Sequence, residues 1–500
     1  MVKPITAPRR DMRKILLIQI LLLIVVLFIK SPSFAKQREG SDVKEAIVQI
    51  HKVSSKPYYY SPWKLSNSES STGSGCVIRG ERILTNAHVV SNQKFLQVQK
   101  YGDPKRYNAS VLHVSHEADI ALLTVEDKSF FSHIEPLDFG TLPETLQEVL
   151  VYGFPTGGDA LSITKGIFSR IVYQEYVHSN NYHIAGQIDA AVNPGNSGGP
   201  VIVDNKIVGV VMQTLKNTEN IGYMIPNPAI EHFLKDIEDG SFNDSPELGF
   251  VTQKMESPGM KRKYGMGDKQ TGVLVIHVYW NSSAQGIIKE GDAILSIDGH
   301  QIADDGTVEI RPKERIKFTY YSDMHQIGEK LNLKVLRNGK IENVTYTLTQ
   351  TRKDILLVAS MQYDQKPRYF IFGGIVFTPL TENLICVWED CDAPDNLLTE
   401  KEKRPTNNRQ EVVVAIHVLA AEVNKGYHDI SVWVAREING KEFKDFNEFY
   451  ELINKSTEPF IVFKNDKGHQ IVIDRKKAYE THQDVLKTYN ITEDRSSGLR

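Results

Sequence analysis

The segment Asp189-Ala190-Ala191-Val192-Asn193-Pro194-Gly195-Asn196-Ser197-Gly198-Gly199-Pro200 sets one serine in a glycine-rich turn between two apolar stretches. Its glycines let the backbone bend sharply and bring its N–H groups close to a ligand. A hydroxyl beside such donors has what acyl chemistry on a peptide carbonyl requires: a nucleophile, and hydrogen-bond donors for the oxyanion that develops.

Two upstream motifs could complete that chemistry. Leu84-Thr85-Asn86-Ala87-His88-Val89-Val90 places a histidine inside an apolar stretch, and Ala118-Asp119-Ile120-Ala121-Leu122-Leu123 opens an apolar run with an aspartate. Taken singly, each residue has a plainer explanation. A histidine among apolar residues is usually packed and hydrogen-bonded, an aspartate before an apolar run is often a turn or cap, and a serine among glycines is often only a turn. The chain order His, Asp, Ser is the one that builds this triad on double β-barrel proteases. Together the three motifs resemble those of the Deg/HtrA family of serine proteases. The resemblance implies that His88, Asp119 and Ser197 are the catalytic triad. It implies an oxyanion hole at Gly195, Asn196 and Ser197, and a pocket for the residue before the cut lined by Val192, Thr214 and Leu215. No acid sits at the base of that pocket, which points to small or medium apolar side chains. His113 and His116 lie nearer Asp119 in sequence than His88 does, but lack its Thr-Asn-Ala-His setting.

The fold class expected is mostly β: a chymotrypsin-like double β-barrel followed by two PDZ-like domains. Residues 42–240 carry many short alternating runs broken by Gly, Asn and Pro, as in an all-β barrel or sandwich. Pro228 to Asp239 reads as a helix, with Ile230, Phe233, Leu234 and Ile237 on one face and Gly240 as its stop. Residues 245–350 form a second unit, in which Gly291-Asp292-Ala293-Ile294-Leu295-Ser296-Ile297-Asp298-Gly299 resembles a PDZ segment. Ahead of it, Tyr264-Gly265-Met266-Gly267 is the candidate loop for capturing a peptide carboxylate, since PDZ domains add a peptide to a sheet edge. Residues 367–480 resemble a second, diverged PDZ. It opens on Tyr369 to Phe377 and closes on Glu437 to Lys441 and Phe446 to Ile453, with Asp390 to Gln410 read as an insertion or linker. This arrangement resembles the two-PDZ Deg proteases of plants and some bacteria.

The 500 residues carry a formal net charge of −3. Residues 1–35 hold six basic side chains and one acid, so the remainder is more acidic, and no basic footprint for nucleic acid is present. A basic start, the apolar run Ile15 to Ile29 and Ser33-Phe34-Ala35 together read as an export signal. Cleavage after Ala35 and retention as a membrane anchor are both open, and export to a bacterial periplasm is the compartment expected. Of three cysteines, Cys76 reads as a small buried apolar residue, and Cys386 and Cys391 as two ordinary thiols in preference to a local pair. No metal-ligand spacing and no nucleotide-binding motif appears, so no cofactor is expected. The expected partners are unfolded or misfolded proteins and C-terminal peptides at the first PDZ. The resemblance implies a homo-oligomer, a trimer or a multiple of trimers. The cluster Tyr58, Tyr59, Tyr60 and Trp63 reads either as a loop packed on its own barrel or as a subunit or regulatory contact.

Overall fold

A computed structural model describes Met1 and residues 40–155, 160–214 and 221–499. The stretch read as an export signal therefore lies, apart from Met1, outside the described residues. Among the described residues no helix is long and apolar enough to cross a membrane.

Twelve strands close two antiparallel barrels. The first comprises β1 (Ile47–Ser54), β2 (Glu69–Ile78), β3 (Arg82–Thr85), β4 (Gln93–Lys100), β5 (Arg106–Ser115) and β6 (Ile120–Val125). It closes where β1 pairs with both β2 and β4. Its interior is filled by inward residues such as Ile47, Ile50, Ile83 and Leu122, and Cys76 is buried among them as a small apolar side chain. The second barrel comprises β7 (Glu148–Gly153), β8 (Ser162–Tyr176), β9 (Asn181–Ile188), β10 (Pro200–Val203), β11 (Lys206–Thr214) and β12 (Gly222–Pro226). Closure leaves no free edge within either barrel, so the chemistry falls to the loops at the seam between them. The expected helix follows as Asn227–Asp236, continued by a 3-10 turn Ile237–Asp239 and stopped at Gly240 with φ +87°. Ile230, Phe233 and Ile237 are buried beneath it.

The second unit is a six-stranded sheet whose main strands are Phe250–Lys254, Val273–Val278, Ala293–Ile297, Lys330–Arg337 and Lys340–Thr347. The third holds two four-stranded sheets packed around the helix Phe446–Asn454, which buries Phe446, Phe449 and Ile453.

Tyr369 to Phe377 contains a hairpin, Phe370–Phe372 against Ile375–Pro379, because Gly373 (φ +56°) and Gly374 (φ +79°) turn the chain back. Two consecutive positive φ values are what a tight two-residue hairpin needs. Residues 390–410 are not a bare linker: they contain the helix Asp395–Lys401, anchored by buried Leu397 and by Glu400, whose carboxylate meets Lys403, Arg409 and Arg436. Cys386 and Cys391 are joined as a disulfide, where two thiols were expected. The left-handed backbone at Asp390 and Cys391 folds the intervening chain back on itself. Three residues of the aromatic cluster, Tyr59, Tyr60 and Trp63, pack on the third unit of the same chain and not on their own barrel. Tyr59 is buried in the core of the third unit, and Tyr60 stacks on His417 at 5.0 Å. Trp63 meets both Tyr369 and His417.

The second unit docks on the second barrel through polar ties. The Tyr173 hydroxyl donates to Asp323 Oδ2 at 2.6 Å, His232 Nε2 donates to the His325 carbonyl at 2.7 Å, and Lys235 pairs with Glu329 at 2.8 Å. Burial pushes the Asp323 carboxyl up to about 7, with Glu247 adding to the rise and Tyr173 and Lys317 opposing it. An aspartate free in the unfolded chain titrates near 3.9, so between roughly pH 4 and 7 the native state holds the extra proton. Stability must then fall as pH rises through that window and level off above it. Asp323→Asn keeps an acceptor for Tyr173 and removes the charge. The variant should be more stable than wild type at pH 8, with the gap closing toward pH 5, as read from urea unfolding at the two pH values.

Candidate active site

The chain between β3 and β4 forms a single helical turn, Ala87–Val90, that carries His88. Asp119 ends the loop into β6 with φ +54°, a left-handed conformation that aspartate tolerates better than most residues. The strand pairing of β3 with β6 brings the two loops together. His88 Nδ1 lies 2.7 Å from Asp119 Oδ2, and the His88 backbone N–H donates to Asp119 Oδ1 at 2.9 Å. Both carboxylate oxygens are thus used on one residue. Asn86 Nδ2 donates to the Asp119 carbonyl at 2.9 Å, which fixes the backbone behind the side chain. Burial pushes the Asp119 carboxyl up, but His88 outweighs it with charge and hydrogen bonds, and the net shift is downward. Asp119 is therefore held as a buried carboxylate.

Ser197 sits on the β9–β10 connection of the second barrel. Asn193-Pro194-Gly195-Asn196 is a tight turn closed by Asn196 N–H donating to the Asn193 carbonyl at 3.0 Å, with Gly195 at φ +97°. Pro followed by a positive-φ glycine is the signature of a type II turn. Gly198 is fixed more severely: at φ +83°, a Cβ there would stand 2.2 Å from both the Ser74 carbonyl and Thr85 Oγ1. Ser197 and Gly195 line one cleft with His88. The Ser197 hydroxyl donates to the Met212 carbonyl at 3.4 Å.

Not every expected site residue falls in place. Asn196 is corrected: its N–H closes the turn and its side chain is turned inward and buried, with Oδ1 against Gly153, so it offers no donor to the cleft. Val192 is half-buried against the second barrel's core, packed over Gly222. Thr214 ends β11 opposite Gly222, while Leu215 lies outside the described residues. His116 does not reach Asp119; it pairs instead with Asp364 and His178. The carboxylate-capture loop is also corrected. Tyr264 to Gly267 forms the C-terminal end of the helix Pro258–Lys263. The N–H groups of Tyr264, Gly265 and Met266 return to the carbonyls of Met260, Arg262 and Lys261. Gly267 N–H is taken by Gln270 Oε1, and Met266 is buried. Three of the four donors are spent on the helix cap and the fourth on Gln270, so none points free to a peptide terminus.

Residues that the motifs did not single out hold the site. Ser74 is fully buried; its hydroxyl donates to the Gly195 carbonyl at 2.7 Å and accepts from Phe154 N–H at 2.8 Å, while its N–H donates to the Ser197 carbonyl. It pins the serine turn to the first barrel. The Gly73-Ser74-Gly75 tripeptide at the end of a polar loop is the one sequence signal for it. Lys52 Nζ donates to the carbonyls of His88 and Ser91, capping the short turn that carries His88. His178, at the β8–β9 turn, lies 6.1 Å from His88 between ring centroids, and burial pushes it down to about 3, so it is neutral.

Known proteins match this architecture along most of the chain. The trypsin-like peptidase domain family matches residues 73–210, and two PDZ domain families match residues 246–348 and 358–498. Three relatives from Arabidopsis thaliana are similar over most of their length. Putative protease Do-like 3, mitochondrial, is 37% identical across 89% of this chain and 78% of its own. Protease Do-like 4, mitochondrial, is 35% identical across 92% and 87%. Protease Do-like 2, chloroplastic, is 36% identical across 91% and 75%. With a peptidase fold of two barrels, a His–Asp pair facing a glycine-framed serine and two PDZ domains behind them, this chain belongs to the Do-like (Deg/HtrA) family of serine endopeptidases.

Proposed function

We propose that the protein is an ATP-independent endopeptidase acting on unfolded or damaged chains, with His88, Asp119 and Ser197 as its triad. The observation that carries this reading is Asp119, which holds His88 through Nδ1 and the backbone N–H at once. That leaves His88 Nε2 as the proton acceptor. Ser197 Oγ attacks the scissile carbonyl, His88 takes its proton and later delivers it to the leaving amine, and Asp119 orients and stabilises the imidazolium. The backbone N–H groups of Gly195 and Ser197 receive the oxyanion, in a turn whose shape the φ of Gly195 and the Ser74 hydroxyl maintain. In this reading Val192, Thr214 and Leu215 form the pocket for the side chain before the cut, which suits small or medium apolar residues. Residues of that kind are mostly buried in folded proteins, so cutting favours chains that have lost their fold.

The compartment is an organelle outside the cytosol, in keeping with the mitochondrial and chloroplastic names of the relatives and with a basic, acid-poor N-terminus. This replaces the bacterial periplasm. A homo-oligomer built of trimers belongs to the same reading. So does membrane association through the N-terminal segment.

Casein incubated with the full-length protein and no nucleotide should be cut, with mass spectrometry finding small or medium apolar residues before the scissile bond. Cleavage that requires ATP, or none at all, would count against the reading. A second reading, a protease gated by PDZ ligands, is favoured by one observation: the chain between the two PDZ units lies beside His88. Activity appearing only on adding a peptide with a free C-terminus would select it. Binding of unfolded chains without cleavage would point to a chaperone-like role.

A further inference from the structure

The triad region opens into two clefts that meet at His88. One contains Ser197 and Gly195 and runs along the rim of β1 and β2. The other, of about 700 Å³, is built mostly from the peptidase, with the third unit closing one wall. From the peptidase come His88, Met212, Val177 and His178. From the chain that enters the third unit come Met361 and Tyr363, and from just past the short helix Glu382–Ile385 comes Val387.

This shared wall is tied down at both faces. The Asp364 carboxylate accepts from the Asn92 N–H at 2.5 Å and meets His116 Nε2 at 2.8 Å, while Asn92 Oδ1 accepts from the Asp364 N–H. Asn92 lies just past the helical turn that carries His88, and His116 lies just before Asp119. The Tyr363 hydroxyl donates to the His178 carbonyl at 2.5 Å, and its ring stacks on His178 at 4.0 Å. On the other side, Gln362 and Asn383 exchange two hydrogen bonds, at 2.7 and 2.9 Å. The segment is thereby fixed to three loops around the catalytic histidine and to the third unit together.

The chemistry of the wall is apolar with a basic rim. Val177 is 69% and Val387 49% exposed, and both aliphatic side chains line the cleft. Met212 and Met361 lie in the same cleft, with the neutral His178 beside Tyr363. Lys52 and Lys56 line it as well. The carboxylates near it are committed: Asp119 to His88, and Asp364 to His116 and Asn92. Met212 belongs to β11, the strand that runs on to Thr214. The Ser197 hydroxyl donates to the Met212 carbonyl, so the cleft adjoins the nucleophile; with Val192 and Thr214 taken, as proposed above, to mark the pocket for the residue before the cut, it falls on the amino side.

We infer that the third unit completes the protease's substrate site: Met361, Tyr363 and Val387 form, with Val177 and Met212, an apolar subsite for a side chain on the amino side of the scissile bond. The inference rests on the protease reading above. The occupant is a residue of the substrate chain, two to four positions before the cut. Apolar and aromatic side chains suit the methionines, valines and tyrosine. Lysine and arginine are disfavoured by Lys56, which lines the cleft, whereas Lys52 is committed to the His88 and Ser91 carbonyls.

The test is cut-site mapping by mass spectrometry on a denatured protein mixture, using full-length wild type, Val387→Glu and Met361→Ala. Position 387 is exposed, so a glutamate there does not burden the fold. Wild type should select apolar residues and reject basic ones two to four positions before the cut. Val387→Glu should raise the frequency of lysine or arginine there by about ten-fold, the scale of one pocket contact. Met361→Ala should shift the preference toward larger apolar side chains. Both variants should leave the preference immediately before the cut unchanged. A wild type that cuts, with the same profile in both variants, overturns the subsite alone. A wild type that cuts nothing defeats the protease reading and the subsite with it.

Discussion

Ser197→Ala should leave a folded protein with no measurable proteolysis. Loss of a triad nucleophile costs about 10⁶ in turnover, which puts the residue below background in a digestion assay. The structure explains why the fold should survive. Among the described residues the hydroxyl makes a long hydrogen bond to the Met212 carbonyl. The turn itself is held by main-chain groups and by Ser74, through the Gly195 and Ser197 carbonyls, and alanine keeps all of these. Thermal unfolding should therefore match wild type, and the variant should still bind unfolded chains. Digestion above about one per cent of wild type would place the nucleophile elsewhere.

The parts of this site that could be read in the sequence are those where local chain geometry and chemistry coincide. Gly195-Asn196-Ser197-Gly198-Gly199 is such a place: Gly198 has no room for a Cβ and a left-handed φ, so the motif is dictated twice, by backbone and by packing. The helix after the second barrel was equally legible, because its apolar face and its glycine stop agree. Residues 264–267 show how the same logic misleads. A glycine-bearing loop before a strand suggests free N–H groups, yet Ser257 and Pro258 are an N-cap and first-turn signal seven or eight residues ahead of Gly265. A helix that starts there needs Gly265 as its C-terminal stop, and its cap consumes the donors. Other features have no local signature. Asp364 and Asn92 are 272 residues apart, and nothing near either one announces the other. The aromatic cluster at 58–63 signalled a contact but not its partner, since the face it meets is assembled from Leu357, Tyr369 and His417 only after folding. That Asn196 points inward is not legible for a related reason: membership in a motif says which residues are constrained, not which way each one points.

Asp119→Asn should give a folded enzyme whose turnover is lower by about 10⁴. The geometry makes this more than analogy. Asp119 accepts twice from one residue, at Oδ1 from the His88 backbone N–H and at Oδ2 from Nδ1. A carboxylate can do so because both its oxygens are acceptors, whereas asparagine has one oxygen and one NH₂. If the amide oxygen faces Nδ1, the NH₂ group is driven against the backbone N–H, and a buried donor is left unpaired at a cost of about 1–3 kcal/mol. If the oxygen faces the backbone, the NH₂ group meets Nδ1, which must then give up its proton and accept. The imidazole proton moves to Nε2, the nitrogen that has to take the serine proton, and the base is lost. The second orientation satisfies every hydrogen bond and is the one the site will adopt. The left-handed φ of Asp119 is no obstacle, because asparagine tolerates it as well as aspartate does. Single-turnover kinetics on an unfolded substrate should then show a slow chemical step with substrate binding unchanged. A variant that kept a tenth of wild-type turnover would mean that Asp119 does not set the tautomer of His88, and the triad would have to be rebuilt around another acid.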